Sequence, residues 1–267
     1  VSDELKLPLA GTPFGASPSF VDLVRSERPE AIPEALRRAA ATELQVASAT
    51  TVLGLRYADG TLLAGDRRAT AGNLIADARM RKVFPADDYS AIAIAGAAGQ
   101  AVELVKLFQL ELEHYEKITG DRLSLEGKAN RLAQMIRENF PMAMQGLVVV
   151  PLFGGFDERR GEGRLFYYDA IGGRWEEDDF QATGSGALPA KNSLKKRWRP
   201  GLAREEAIRV AVEALIDAAD DDAATGGPDP ARGIYPVLLT VGPQGAAEVP
   251  EDEVAAAVAA VQEERAR

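Results

Sequence analysis

Three residues that can take part in covalent or proton-transfer chemistry recur at an even interval: Thr50, Asp66 and Lys82, sixteen positions apart in each step. A threonine hydroxyl is a weak nucleophile until a base takes its proton. If the chain is cut in front of Thr50, the α-amino group so released, a base with a pKa of about 7.7–8.0, stands beside that hydroxyl on the same residue. Left uncut, Thr50 is an ordinary β-branched residue opening the strand-like run Thr51-Val52-Leu53-Gly54-Leu55. Asp66 follows the apolar run Leu62-Leu63-Ala64-Gly65, and Lys82 precedes Val83-Phe84. Charges at such positions are seldom buried unless paired. Residue type alone equally allows Asp66 to cap a turn and Lys82 to be a solvated strand end.

The elements that must carry these residues follow from hydrophobic period. Val52–Tyr57 and Leu62–Ala64 flank Ala58-Asp59-Gly60, an Asp-Gly hairpin signal. A short run at 73–75 and the buried-strand pattern Ser90–Ala95 follow, the latter ending in Gly96-Ala97-Ala98-Gly99. Val102, Val105, Phe108, Leu112 and Tyr115 predict a long amphipathic helix from about residue 99 to Gly120. Leu125, Ala129, Leu132 and Ile136 predict a second, over 124–140, closed by Pro141. Strands are expected at Leu147–Phe153, with Gly154-Gly155 in the turn after it, at Arg164–Asp169 and at Trp175–Ala182. Helices follow at 187–198 and 203–219, then a last strand Tyr235–Val241 and a charged tail helix over 251–265. Strands and helices are segregated in blocks, which predicts an α+β fold with sheets between helical layers.

Composition narrows the function. The net charge of −10 disfavours nucleic acid and anionic lipid as partners. Cysteine is absent and His114 is the sole histidine, so thiolate catalysis, disulfides and multi-histidine metal sites are excluded. There is no phosphate-binding glycine motif. No stretch reads as a signal peptide and no apolar run is long enough to span a bilayer, so a cytoplasmic, soluble protein without cofactor or metal is expected. Residues 1–49 differ from the rest, with five prolines (Pro8, Pro13, Pro18, Pro29, Pro33) and only short helical patterns. They read either as a poorly ordered leader or as a removable prosegment.

Several motifs in order resemble the catalytic β subunit of the 20S proteasome. They are Thr50-Thr51-Val52, Gly65-Asp66-Arg67-Arg68-Ala69-Thr70-Ala71-Gly72-Asn73, Arg81-Lys82-Val83 and Ile94-Ala95-Gly96. The stretches 110–117, 143–147 and 220–229 are similar to the actinobacterial type. The resemblance covers about residues 50–250 and implies a four-layer α-β-β-α sandwich, the N-terminal nucleophile hydrolase fold. It also implies a propeptide at 1–49 and a threonine peptidase domain at 50–267, with self-cleavage between Ala49 and Thr50. By the same resemblance Thr50 is the nucleophile, Lys82 favours its alkoxide, Asp66 anchors Lys82, and the Gly96 N–H stabilises the oxyanion. Ser185, Asp222 and Thr225 match positions that support the amino group and hydroxyl. Ala69, Thr70, Met80, Ile94, Ala98 and Val102 match the substrate-binding positions, where a peptide adds as a strand between Thr70 and the Gly96–Ala98 segment; the apolar Ala69, Met80, Ile94, Ala98 and Val102 imply cleavage after hydrophobic residues.

The implied assembly is a homo-heptameric β ring stacked on a second, capped by α-type subunits and an ATPase regulator that delivers tagged proteins. One departure is Ala49, where the family normally has glycine. Taking Thr51 as nucleophile instead would shift Asp66 and Lys82 out of register. Two rivals stand beside this expectation: the bacterial two-ring peptidase with the same Thr-Thr start, disfavoured by the leader and the 184–229 segment, and a structural ring subunit that is never processed. His114, the basic face Lys191, Lys195, Lys196 and Arg197, and the acids Asp217, Asp220 and Asp221 read as surface or subunit contact.

Overall fold

The computed structural model describes residues 50–72 and 74–266; the leader, Ala49 and the position of Asn73 lie outside them. Two five-stranded antiparallel sheets make up the centre. The first runs, in spatial order, β10 (Phe180–Gly184), β1 (Thr51–Tyr57), β2 (Gly60–Gly65), β11 (Val237–Gly242) and β12 (Gly245–Glu248). The second runs β5 (Val83–Asp87), β6 (Ser90–Gly96), β7 (Val149–Asp157), β8 (Glu162–Tyr168) and β9 (Arg174–Glu177). A small ribbon pairs β3 (Ala69–Ala71) with β4 (Leu74–Asp77).

Side-chain alternation explains why the sheets stack. On β1, Leu53 and Leu55 face the helices while Val52 faces the other sheet. On β6, Ile92 and Ile94 face outward and the small Ala91, Ala93 and Ala95 face inward. Both faces of each central strand are therefore apolar, which needs helices on both outer sides. These are α1 (Ala98–Thr119) and α2 (Leu125–Glu138) over the second sheet. Over the first lie α4 (Ala187–Arg197), α5 (Arg204–Asp221) and α6 (Glu251–Arg265). The result is the expected four-layer α-β-β-α sandwich. Each fully buried leucine in it is worth about 1.5–3 kcal/mol of apolar transfer.

Glycines set the spacing of the sheets. A Cβ on Gly163 would lie 2.3 Å from the Gly60 carbonyl carbon, so backbone meets backbone across the sandwich at that point.

Five elements differ from the sequence reading. The expected strand 175–182 is two strands, β9 and β10, in different sheets, because Asp178 and Asp179 break the run and carry the chain across. Gly154 and Gly155 lie inside β7, where their missing side chains admit Thr61 and Leu125. Pro141 does not close the second helix: α2 ends at Glu138 and Pro141 sits in the first turn of the short α3 (Phe140–Ala143), where its missing N–H costs nothing. Strand β12 is added by the turn after β11. On α1, Tyr115 is exposed and Leu104 and Ala101 complete the buried stripe.

Candidate active site

Thr50 sits just ahead of β1 and is buried. Its carbonyl oxygen accepts from the Ser185 N–H at 2.9 Å, and the Ser185 Oγ stands 3.5 Å from it. This approach needs glycine at the preceding position. Gly184 has φ 105°, and a Cβ there would stand 1.8 Å from the Thr50 oxygen.

Asp66 leaves the end of β2 and Lys82 enters the start of β5, so each sheet contributes one charge to the seam between them. Both are about 1% exposed and paired at 2.6 Å. Asp66 Oδ1 accepts Lys82 Nζ and the Thr51 N–H at 2.9 Å. Its Oδ2 accepts the N–H groups of Arg68 at 2.8 Å and Gly226 at 2.9 Å. Lys82 Nζ also donates to the Arg68 carbonyl. One carboxylate oxygen therefore ties the ammonium to the residue that follows Thr50. Burial pushes the Lys82 pKa down; Asp66 opposes that and the Arg68 charge adds to it, leaving the pKa below the ordinary lysine value.

A second cluster faces the same strand end. Asp222 Oδ2 accepts the hydroxyls of Ser185 and Thr225, each at 2.6 Å. Burial disfavours the charged Asp222, but the Ser185 and Thr225 hydroxyls and the backbone N–H of Ala224 hold its pKa below the usual aspartate value. Because Thr225 donates to Asp222, its oxygen is left to accept the Thr51 hydroxyl at 2.6 Å. Thr51 Oγ1 in turn accepts the Gly186 N–H at 2.9 Å. Thr225 thus meets the side chain of Thr51, a partner the sequence reading missed.

Gly96 ends β6 with φ 117°, and its Cα is pressed against the Val148 carbonyl, 2.0 Å from where a Cβ would be. Ala98 and Val102 are half-buried on the first turns of α1. Val102 packs against the cluster that holds the buried Ile94 beneath α1. Ala69 and Thr70 are buried on β3. Half-buried Met80 is tied to that segment by its N–H to the Arg67 carbonyl at 3.0 Å. Sequence reasoning also passed over Gly184, Gly226 and the Arg68 side chain. The run Gly184-Ser185-Gly186, two glycines flanking Ser185 just ahead of α4, carries a local signal for the first of these. Among the described residues no group of three or more His, Asp or Glu is placed to hold a metal ion.

A family described as proteasome subunit matches residues 46–229. The chain belongs to the proteasome family. This proteasome-family chain is 52% identical over 253 residues to the proteasome subunit beta of Streptomyces griseus, covering 93% of the chain and 88% of that protein. It is also 52% identical over 241 residues to the proteasome subunit beta of Acidimicrobium ferrooxidans, covering 90% of the chain and 88% of that protein. Its similarity within the family is thus to actinobacterial β subunits, and its layers are those of the N-terminal nucleophile hydrolase sandwich. Among the described residues no helix of this proteasome-family chain is long and apolar enough to cross a membrane.

Proposed function

We propose that this chain is the proteolytic β-type subunit of a 20S proteasome, a threonine endopeptidase made as a precursor. The observation that carries the reading is the Asp66 carboxylate, which holds the Lys82 ammonium and the Thr51 N–H on one oxygen. That arrangement puts a fixed positive charge within two hydrogen bonds of the residue after Thr50.

In the precursor the Thr50 nitrogen is an amide and cannot act as a base. The Thr50 hydroxyl attacks the Ala49 carbonyl carbon, the acyl group moves from nitrogen to oxygen, and water hydrolyses the ester to release residues 1–49. In the mature subunit the free amine takes the hydroxyl proton, by way of a water, as Oγ1 attacks a substrate carbonyl. Lys82 favours the developing alkoxide, and the Gly96 N–H receives the oxyanion, a contribution of about 2.7–4 kcal/mol for a well-placed donor. The amine then protonates the leaving nitrogen, and water cleaves the acyl-enzyme. Ser185, Asp222 and Thr225 support the amine and its surroundings. Ala69, Thr70, Met80, Ile94, Ala98 and Val102 receive the substrate strand and give a preference for apolar residues before the cut.

The relatives' name, proteasome subunit beta, supports assembly of this chain with α-type subunits into a particle. Within it we place a homo-heptameric β ring stacked on a second, served through the α ring by an ATPase that delivers tagged proteins in the cytoplasm. Enclosing the sites lets a broadly specific peptidase work among folded proteins.

Intact mass of the full chain co-purified with its α-type partner tests the proposal, together with labelling by an epoxyketone directed at N-terminal threonine. Loss of residues 1–49 and one label per cut chain are expected, with both absent in Thr50→Ala. An uncut chain in the assembled particle would instead favour a structural subunit, the reading to which Ala49 lends weight.

A further inference from the structure

We infer that Arg68 is a positioning residue that holds the Asp222–Thr225 turn against the Lys82–Asp66 pair. The inference rests on the threonine-peptidase reading above and extends it to a side chain that reading does not use. Arg68 touches the pair with its main chain: its N–H donates to Asp66 Oδ2 at 2.8 Å and its carbonyl accepts Lys82 Nζ. With its side chain it touches the turn, Nη1 donating to the carbonyls of Ala223 at 2.9 Å and Thr225 at 3.2 Å. These carbonyls lie just beyond α5, which ends at Asp221, and a cation is favoured at a helix C-terminus.

The contact is close along its whole length. A Cβ on Gly226 would be 2.7 Å from the Arg68 Cβ, so the chain after the turn lies directly on the arginine stem. The turn carries Asp222, whose carboxylate takes the Ser185 and Thr225 hydroxyls, and Ser185 in turn holds the Thr50 carbonyl. Arg68 thus joins the lysine side of the site to the aspartate side, alongside the Gly226 N–H that donates to Asp66 Oδ2 at 2.9 Å. Its charge also adds to the effect of burial on Lys82.

The test uses the full chain assembled with α-type subunits, as wild type, Arg68→Ala, Arg68→Lys and Thr50→Ala, with an apolar fluorogenic peptide. Displacing reacting groups by about an ångström costs up to roughly 100-fold. Arg68→Ala should therefore lower kcat roughly 10- to 100-fold while KM stays within about twofold. Methylguanidinium should restore more of that kcat than methylammonium, because only it reproduces the flat group whose Nη1 meets both carbonyls. Arg68→Lys keeps the charge without that planar group and should fall between. If Arg68→Ala does not assemble, the lysine variant decides alone by the same kcat and KM split. A kcat within about twofold of wild type in the variant that assembles overturns the inference. So does a loss matched by a lower Tm that methylguanidinium leaves untouched. Turnover that survives Thr50→Ala sinks the peptidase reading itself, whereas a silent Arg68 variant beside a dead Thr50→Ala sinks only the role of Arg68.

Discussion

The hydroxyls of Thr51 and Thr225 lie 2.6 Å apart with no solvent on either residue. With the Gly186 N–H also bonded to it, the Thr51 oxygen is fully engaged inside the fold. The two adjacent threonines therefore differ in kind. Thr51→Val leaves the Gly186 N–H without an acceptor and should cost about 1–3 kcal/mol, read as a lower denaturation midpoint. Thr51→Ser keeps the bond and should stay within about 1 kcal/mol. Thr50→Ala should leave stability nearly unchanged and abolish turnover. A stable Thr51→Val would show that the pair is not structural.

Removing either member of the Asp66–Lys82 pair strands a buried charge, typically at a cost of about 3–5 kcal/mol. Asp66 accepts from Lys82 and from three backbone N–H groups, whereas Lys82 donates to two oxygens. Asp66→Ala should thus be the more damaging change and Lys82→Met the milder. Equilibrium denaturation of the two variants settles the order.

Asp222 gives the acid dependence its sign. Its folded pKa lies below the ordinary aspartate value of 3.8, so its contribution to stability is complete above that value and is lost as pH falls through the folded pKa. Ser185→Ala deletes one of the bonds that hold the pKa down, so in that variant the acid loss should begin at higher pH. Denaturation midpoints measured between about pH 5 and 2 report the shift. Coincident wild-type and variant curves would remove Ser185 from the cause.

Gly184→Ala combines a left-handed backbone with a Cβ driven into the Thr50 carbonyl. Gly201→Ala, at φ 75° with nothing within 4 Å, carries the backbone strain alone. The second should cost about 1–2 kcal/mol and leave activity intact. The first should cost about 3 kcal/mol or more and eliminate turnover. Similar midpoints for the two variants would mean that the Thr50 carbonyl can yield.

The layered fold was legible because its central strands are apolar on both faces, as in Leu62-Leu63-Ala64 and Ile92-Ala93-Ile94. A sheet buried on both sides requires helical cover, and the two helical blocks supply it. What stayed hidden was pairing across distance. Nothing local in 174–184 shows that its halves join different sheets, since each half pairs with strands far away in the chain. The same holds at the site. Asp66 and Lys82 stood out as charges beside apolar runs, and the structure brings them together. Thr51, Gly184 and Arg68 carry ordinary local signals, and only the approach of β10 and of the turn after α5 gives them partners.

The backbone contact between Gly60 and Gly163 lies at the end of the sandwich opposite to Thr51, since Gly60 pairs with Tyr57 at the far end of β1. At about 3.3 Å per residue that is roughly 20 Å away. Bulk introduced at Gly163, whose Cβ would point at the Gly60 backbone, acts as a shim under one edge of two stiff slabs. Tilting them there alters the gap at the other edge, where a lysine from one slab meets an aspartate from the other, although the shim touches neither.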